Sequence, residues 1–346
     1  MYQTQELETT CDDPLLSVCE LPLRATFFPL GFPLELTTNS HRVIEAAKKS
    51  WQFFAQSFDV PAVRLEIGVA DEIGDTLPDP PTFRSRGHLM SIISDAQNFS
   101  NCDFSRGFAY GWVTRRVAAE SGFFRYNFLE PAALTLLGQR YLAPVHAALV
   151  VKDGCGVMLC GDSFAGKSTL AYACARAGWT FVTDDAVYLV REDPRCFGIG
   201  NPYSIRFRES AAALFEDLSN RRPVTRPNGK VGFEICTQEL AIDTAPGNQI
   251  DHVVFLDRHS LEPAHLFPFP KARAIHSWKQ FVNHGEEETK AEQIKSYERL
   301  LEARVWALNY SNLHDAVSRL NQLAEPEYRE KPLCRTTCQG IRSDRA

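Results

Sequence analysis

Apolar positions recur at two spacings along the chain, and the change from one to the other divides it into elements. Val43, Ile44, Ala47, Trp51 and Phe54 fall on one face at helical spacing after the capping stretch Thr38-Asn39-Ser40, and they predict an amphipathic helix with its aromatics in a core. Before it, residues 27–37 alternate around Pro29, Gly31 and Pro33 and predict an irregular strand. After it, residues 63–69 predict a strand, residues 71–81 a proline- and aspartate-bearing loop, and residues 87–117 several short strands broken by polar turns. Residues 130–139 have helical spacing, with Pro131 in the first turn. The next apolar runs, residues 146–151 and 156–160, flank Asp153-Gly154, a dipeptide suited to a tight hairpin turn. Further strands are predicted at 179–183, 187–190, 253–257 and 305–310, a strand or loop at 202–207, and helices at 167–177, 211–218, 271–282, 286–303 and 313–323. Residues 221–230, basic and proline-bearing, predict a flexible excursion, and no internal repeat is present.

Between the hairpin's second strand and the helix that begins at residue 167 lies Gly161-Asp162-Ser163-Phe164-Ala165-Gly166-Lys167-Ser168. It matches the phosphate-binding pattern G-x-x-x-x-G-K-[ST] at every fixed position. Glycines let such a loop turn its N–H groups inward, the lysine reaches the outer phosphates, and the Ser168 hydroxyl is placed to ligate Mg²⁺. The strand–loop–helix order aims a helix N-terminus, with its free N–H groups, at the bound anion. The next strand ends in Asp184-Asp185, where proteins with this loop carry an acidic group that reaches the metal.

Composition narrows the possibilities. The chain has 346 residues, 44% of them hydrophobic and 23% charged, which is ordinary for a soluble globular protein and leaves room for two domains. A net charge of −6 argues against nucleic acid as a general partner. No apolar run is long enough to span a membrane, and residues 1–14 lack the basic-then-apolar pattern of a signal peptide, so the expected compartment is the cytoplasm. Of ten cysteines, Cys155, Cys160 and Cys174 surround the loop and read as buried free thiols. Cys334 and Cys338 have no second Cys or His pair nearby to complete a metal site.

The order His146, hairpin, Gly161-Asp162-Ser163, Gly166-Lys167-Ser168, Arg176-Ala177-Gly178, Asp184-Asp185-Ala186-Val187 resembles the catalytic domain of HPr kinase/phosphorylase and the wider family of HPr kinase-like proteins. The likeness is closest over residues 146–190. It implies an α/β fold: an HPr kinase-like P-loop core related to phosphoenolpyruvate carboxykinase, with a mixed sheet fed by the hairpin and flanking helices. An N-terminal α+β region would precede that core. The expected division is a start over 1–20, the α+β region over 21–125, the kinase domain over 126–325 and a polar tail over 326–346. Where the bifunctional enzymes carry Ser-Glu this chain has Ser168-Thr169, and their Glu-Ile-Arg-Gly signature is here Ser204-Ile205-Arg206-Phe207. Those departures point to an HPr kinase-like kinase of a different acceptor.

The resemblance implies roles for single residues. Residues Gly161 to Ser168 (Gly161, Asp162, Ser163, Phe164, Ala165, Gly166, Lys167 and Ser168) with Thr169 would bind ATP or another nucleoside triphosphate. Ser168 and Asp185 would hold Mg²⁺, Asp184 would act as the base, and His146 and Arg206 would contact the aspartates or the transferred phosphate. The acceptor would be a hydroxyl on a small molecule, peptide or protein, and the related kinases assemble as rings, so a homo-oligomer is expected. Read from the residues alone, the loop equally serves a nucleotide-binding sensor or a simple NTPase. The paired aspartates favour the kinase, because a binding module needs no base.

Overall fold

The computed structural model describes residues 20–70, 76–225, 229–258, 263–282 and 284–325. The expected polar start, the tail with Cys334 and Cys338, and part of the loop at 71–81 lie outside them. Among the described residues the chain is a mixed α/β protein with four sheets.

The strands β1 (Leu23–Phe27), β2 (Leu34–Thr38), β3 (Val63–Val69), β4 (Thr82–Arg86), β5 (Leu89–Ile93), β6 (Phe99–Asp103) and β7 (Phe108–Val113) form a seven-stranded sheet in the order β1-β2-β3-β7-β6-β5-β4. The stretch expected as one irregular strand is two. A turn at Pro29–Gly31, with Leu30 at φ 56°, folds it back so that β1 and β2 pair antiparallel. Helix His41–Trp51 follows, with Val43, Ala47 and Trp51 of the predicted face buried beside Ala46; Ile44 is half-buried, and Phe54 lies past the helix end. Ser40 occupies its cap position without a capping bond from its side chain. After β7, Thr114 accepts the Val117 N–H and starts a helix, Arg115–Ala119, where short strands were expected. A π-helical turn, Arg125–Leu129, then leads into helix Glu130–Arg140. The apolar side of that turn and helix (Phe128, Leu129, Ala132, Ala133, Leu136 and Leu137) is buried in the same core as β2, β3 and β7.

The second half continues with β8 (Leu142–Val145), β9 (Ala148–Lys152), β10 (Cys155–Cys160), β11 (Thr180–Thr183), β12 (Val187–Val190), β13 (Phe197–Ile199), β14 (Ser204–Arg208), β15 (Val224–Thr225), β16 (Val231–Cys236), β17 (Gly247–Gln249), β18 (His252–Asp257), β19 (His265–Pro268) and β20 (Arg304–Asn309). A six-stranded sheet in the order β11-β9-β10-β18-β20-β19 carries the hairpin at its centre. Asp153 (φ 50°) and Gly154 (φ 78°) are both left-handed, which gives the tight turn a twist matching its strands. β10 pairs antiparallel with β9 and parallel with β18, so the sheet is mixed.

All six residues of β10 are buried because both faces are covered. Val157 and Leu159 pack with helices Lys167–Arg176 and Leu313–Ala324, while Met158 and Cys160 pack with Trp278 of helix Lys271–Lys279 and Tyr297 of helix Glu287–Leu300. Two smaller sheets, β17-β13-β12-β8 and β14-β16-β15, complete the fold. The helix expected over 211–218 is instead two short pieces, Glu209–Ala213 and Glu216–Ser219. Phe215 interrupts it in an extended conformation, its ring 4.8 Å from that of Tyr172 on the neighbouring helix.

Candidate active site

β10 delivers the chain into the loop and helix Lys167–Arg176 takes it away, so the loop's conformation is set at both ends. Gly161 (φ 147°) and Gly166 (φ 92°) adopt backbone that L side chains rarely enter, and Phe164 (φ 76°) joins them between. Both glycines are also crowded. A Cβ at Gly161 would lie 2.9 Å from Ala165 Cβ, and one at Gly166 would lie 2.5 Å from Tyr310 Oη. The Tyr310 hydroxyl donates to the Ala165 carbonyl at 3.0 Å, tying the loop to the end of β20.

Lys167 is the first residue of the helix and is buried, its Nζ donating to the carbonyls of Gly161 (2.7 Å) and Asp162 (3.1 Å). Burial lowers the pKa of its ammonium group, with Cys160, Asp185, Asp162 and Asp184 pulling the other way. Phe164 stands exposed at the loop tip, with the Arg208 guanidinium 3.6 Å over its ring.

Asp184 and Asp185 follow β11 and differ sharply. Asp184 is only 4% exposed, and one of its carboxylate oxygens accepts the Arg206 backbone N–H at 3.0 Å. Burial, and then the like charge of Asp185, push its carboxyl up to about 7 against the weaker pull of Arg206 and Ser168. The Ser168 hydroxyl reaches the Asp184 carbonyl oxygen at 3.5 Å. Asp185 is exposed. His146 Nδ1 donates to its carbonyl oxygen at 2.8 Å and lies 3.5 Å from its carboxylate, which places the proton of a neutral imidazole on Nδ1.

Arg206, on β14, lies 3.3 Å from Glu234 and 3.8 Å from Asp185. Burial disfavours its charge, yet Glu234, Glu130, Asp184 and Asp185 outweigh that and hold the guanidinium ionised. The Glu234 contact follows from the register, since Arg206 and Glu234 are direct partners across β14 and β16.

Two cavities share these residues, and a third borders the loop cavity at His146. One, of about 440 Å³, runs along the loop past Ser163, Phe164, Gly166, Lys167, Ser168 and Thr169 to Asp184, Asp185 and His146; Lys167, Arg206, Arg208, Lys230 and Arg258 line it as cations. A second, of about 360 Å³, shares Asp184, Asp185 and Arg206 but touches no loop residue. Its walls come from Pro29 and Leu30, from Lys49 to Phe54, and from Arg125, Glu130, Tyr203 and Glu234. The third, of about 780 Å³, borders Gly161, Asp162, His146 and Asp257 and carries Phe255, Phe267, Phe269, Trp278 and Phe281 among its other, mixed lining residues.

The residues singled out in the sequence are thus brought together: His146, Lys167, Ser168, Asp184, Asp185 and Arg206 surround one cavity, with Thr169 on its wall. Asp162 faces the third cavity, and Ala165 serves through its carbonyl to Tyr310. Sequence reasoning passed over Arg208, Arg258, Glu234, Tyr310, Arg125, Glu130 and Tyr203. Arg208 had a signal, because Ser204, Arg206 and Arg208 alternate with Ile205 and Phe207, which puts both arginines on one face of a strand. The others carry no local pattern.

A metal and a nucleotide fit these residues. The left-handed loop leaves no room for a Cβ at Gly161 or Gly166, and Ser168 and Asp185 offer the hydroxyl and carboxylate oxygens that Mg²⁺ takes beside phosphate oxygens. Among the described residues no helix is long and apolar enough to cross a membrane.

No family model and no curated protein matches the chain. Among solved structures, the Hpr(Ser) kinase/phosphatase from Coxiella burnetii is similar at 14% identity and a TM-score of 0.26, covering 52% of this chain and 97% of that one.

Proposed function

We propose that the protein is an ATP- and Mg²⁺-dependent kinase, or one using another nucleoside triphosphate, that transfers the terminal phosphoryl group to a hydroxyl. The observation that carries this reading is the position of Asp184. It is a buried carboxyl with a pKa near neutrality, at the wall shared by a cationic cavity along a phosphate-type loop and a second cavity on its other side. A group with its pKa near 7 suits general-base work at neutral pH.

In this reading Lys167 and the loop N–H groups hold the outer phosphates. Arg206 faces the transferring group, its orientation set by Glu234, and His146 orients Asp185 through the bond to its carbonyl. Ser168 and Asp185 would hold Mg²⁺, which neutralises phosphate charge when bound. Asp184 accepts the proton of the attacking hydroxyl, so that oxygen meets the phosphorus in line as the bond to the leaving diphosphate breaks. Phosphoryl transfer asks for placement and charge rather than covalent catalysis, and these side chains supply both.

The test is incubation with labelled ATP and a library of hydroxyl-bearing acceptors, read by mass spectrometry. Transfer that disappears in Asp184→Asn while nucleotide binding persists is the expected result. Nucleotide binding with no transfer to any acceptor, unchanged by Asp184→Asn, would refute the kinase reading.

A further inference from the structure

Nothing in the loop or the aspartate pair says what receives the phosphoryl group, yet the cavity on the other side of Asp184 has a composition of its own. We propose that this cleft is the acceptor site and takes a small, neutral or cationic molecule carrying its hydroxyl on an aromatic or flat apolar body. The proposal rests on the kinase reading above and goes beyond it in naming the acceptor class.

Placement comes first. The cleft meets the loop cavity at Asp184, Asp185 and Arg206 and touches no loop residue, so a hydroxyl inside it would reach the Asp184 carboxylate without entering the space along the loop. The hydroxyl oxygen forms the new O–P bond and its proton goes to the Asp184 carboxylate. The bond from the γ-phosphorus to its bridging oxygen breaks, and that oxygen leaves on the nucleoside diphosphate with the electron pair.

Size comes second. At about 360 Å³ the cleft lies in the range of small-molecule pockets. Its wall is aromatic: Tyr203 meets Phe54 edge-on at 4.9 Å and Phe53 at 5.4 Å, an arrangement that leaves a flat body ring faces and edges to pack against.

Charge comes third. The lining cations are Lys49, Arg125 and Arg206, and the carboxylates are Glu130, Asp184, Asp185 and Glu234. Arg125 is held by Glu130 at 2.9 Å and Arg206 by Glu234 at 3.3 Å, so two of the three cations already face carboxylates. The loop cavity, with five cations against two aspartates, has the opposite balance. A phosphorylated or otherwise polyanionic acceptor therefore meets far less unopposed positive charge in the cleft than in the loop cavity.

The experiment uses the full chain with 2-phenylethanol and 2-amino-1-phenylethanol as probes and glycerol 3-phosphate as the anionic, ringless control. Probe binding is read by saturation-transfer NMR, Mg-ATP binding by a fluorescent analogue, and transfer by mass spectrometry. The aryl alcohols are expected to bind and to become phosphorylated. Tyr203→Leu should weaken their binding about fivefold, the scale of one ring contact, while Tyr203→Phe keeps it and both variants bind Mg-ATP as the wild type does. Aryl alcohols that bind no better than glycerol 3-phosphate, or whose binding Tyr203→Leu leaves unchanged, overturn the assignment and leave the kinase reading standing. A wild type that binds aryl alcohols but no nucleotide overturns the kinase reading, and the acceptor role falls with it.

Discussion

The two cavities that share Asp184 are built on different principles. The loop cavity takes one wall, Ser163, Phe164 and Gly166 to Thr169, from a single continuous stretch, to which other segments add His146, Asp184, Asp185, Arg206 and Arg208. Turn, helix start and lysine are neighbours in the chain, and local rules bring them together. The second cleft has no such stretch. It gathers the turn at Pro29 and Leu30, the end of helix His41–Trp51, the π-helical turn at Arg125, and β14 and β16, and it exists only because the seven-stranded sheet's helices pack where they do. The π-helical turn serves both sides, since Arg125 lines the second cleft while its neighbour Tyr126 lines the loop cavity. A phosphate-type loop can thus be written as a motif, whereas the cleft beside it is an assembly.

The largest effect that would break this contrast belongs to Lys167. Lys167→Ala should lower phosphoryl transfer on the order of 10³-fold, measured with labelled donor. Full activity in that variant would detach the loop from the chemistry.

Asp184→Asn comes next, with an expected fall in kcat of about 10²- to 10⁴-fold. The wild-type rate should rise with pH, because the proposed base works only when deprotonated, and the variant should lack that step. Stability runs the other way. The folded carboxyl at about 7 lies above the ordinary 3.8, so the folded chain holds an extra proton between those values. The stabilisation is full below the lower value and lost as pH rises through the upper one. Asp184→Asn should therefore melt a few degrees higher than the wild type at pH 8, and calorimetry at pH 5 and pH 8 would show whether burial sets this carboxyl's behaviour.

A smaller change is expected from Gly166→Ala. The left-handed φ and the 2.5 Å approach to Tyr310 Oη should cost about 1–3 kcal/mol in chemical denaturation. Tyr310→Phe in the same chain should recover the part due to the contact, and a neutral Gly166→Ala would mean the loop is not held as described.

The smallest effect tests the assembled side. Ser50 Oγ donates to Glu130 at 2.8 Å and accepts from Arg125 Nε at 2.7 Å, joining helix His41–Trp51 to the π-helical turn. Ser50→Ala should cost about 1 kcal/mol and raise KM for the acceptor without changing nucleotide affinity. An equal loss on both sides would erase the distinction between the cavities.

Legibility in the sequence followed the same line. Asp153-Gly154, the loop and the strand β10 are local features, and periodicity places them to within a residue or two. Helix His41–Trp51 was readable from its buried face for the same reason. Residues 211–218 misled because their apolar spacing is helical, while Phe215 is extended and packs its ring against Tyr172 of a distant helix, a contact no local pattern encodes. Glu234 could not be found at all, since its partnership with Arg206 depends on the pairing of β14 with β16.

By itself the sequence determined the hairpin, the phosphate-type loop, the helix behind it and the aspartate pair, because spacing, glycine conformation and burial over a few residues dictate each. Only the tertiary structure decided that Asp184 is buried and Asp185 is not, that Arg206 lies between Glu234 and Asp185, and that aromatic side chains from distant segments line a cleft beside Asp184. Those outcomes depend on strand register and on which helix covers which sheet, and such long-range packing leaves no pattern within a short stretch of chain.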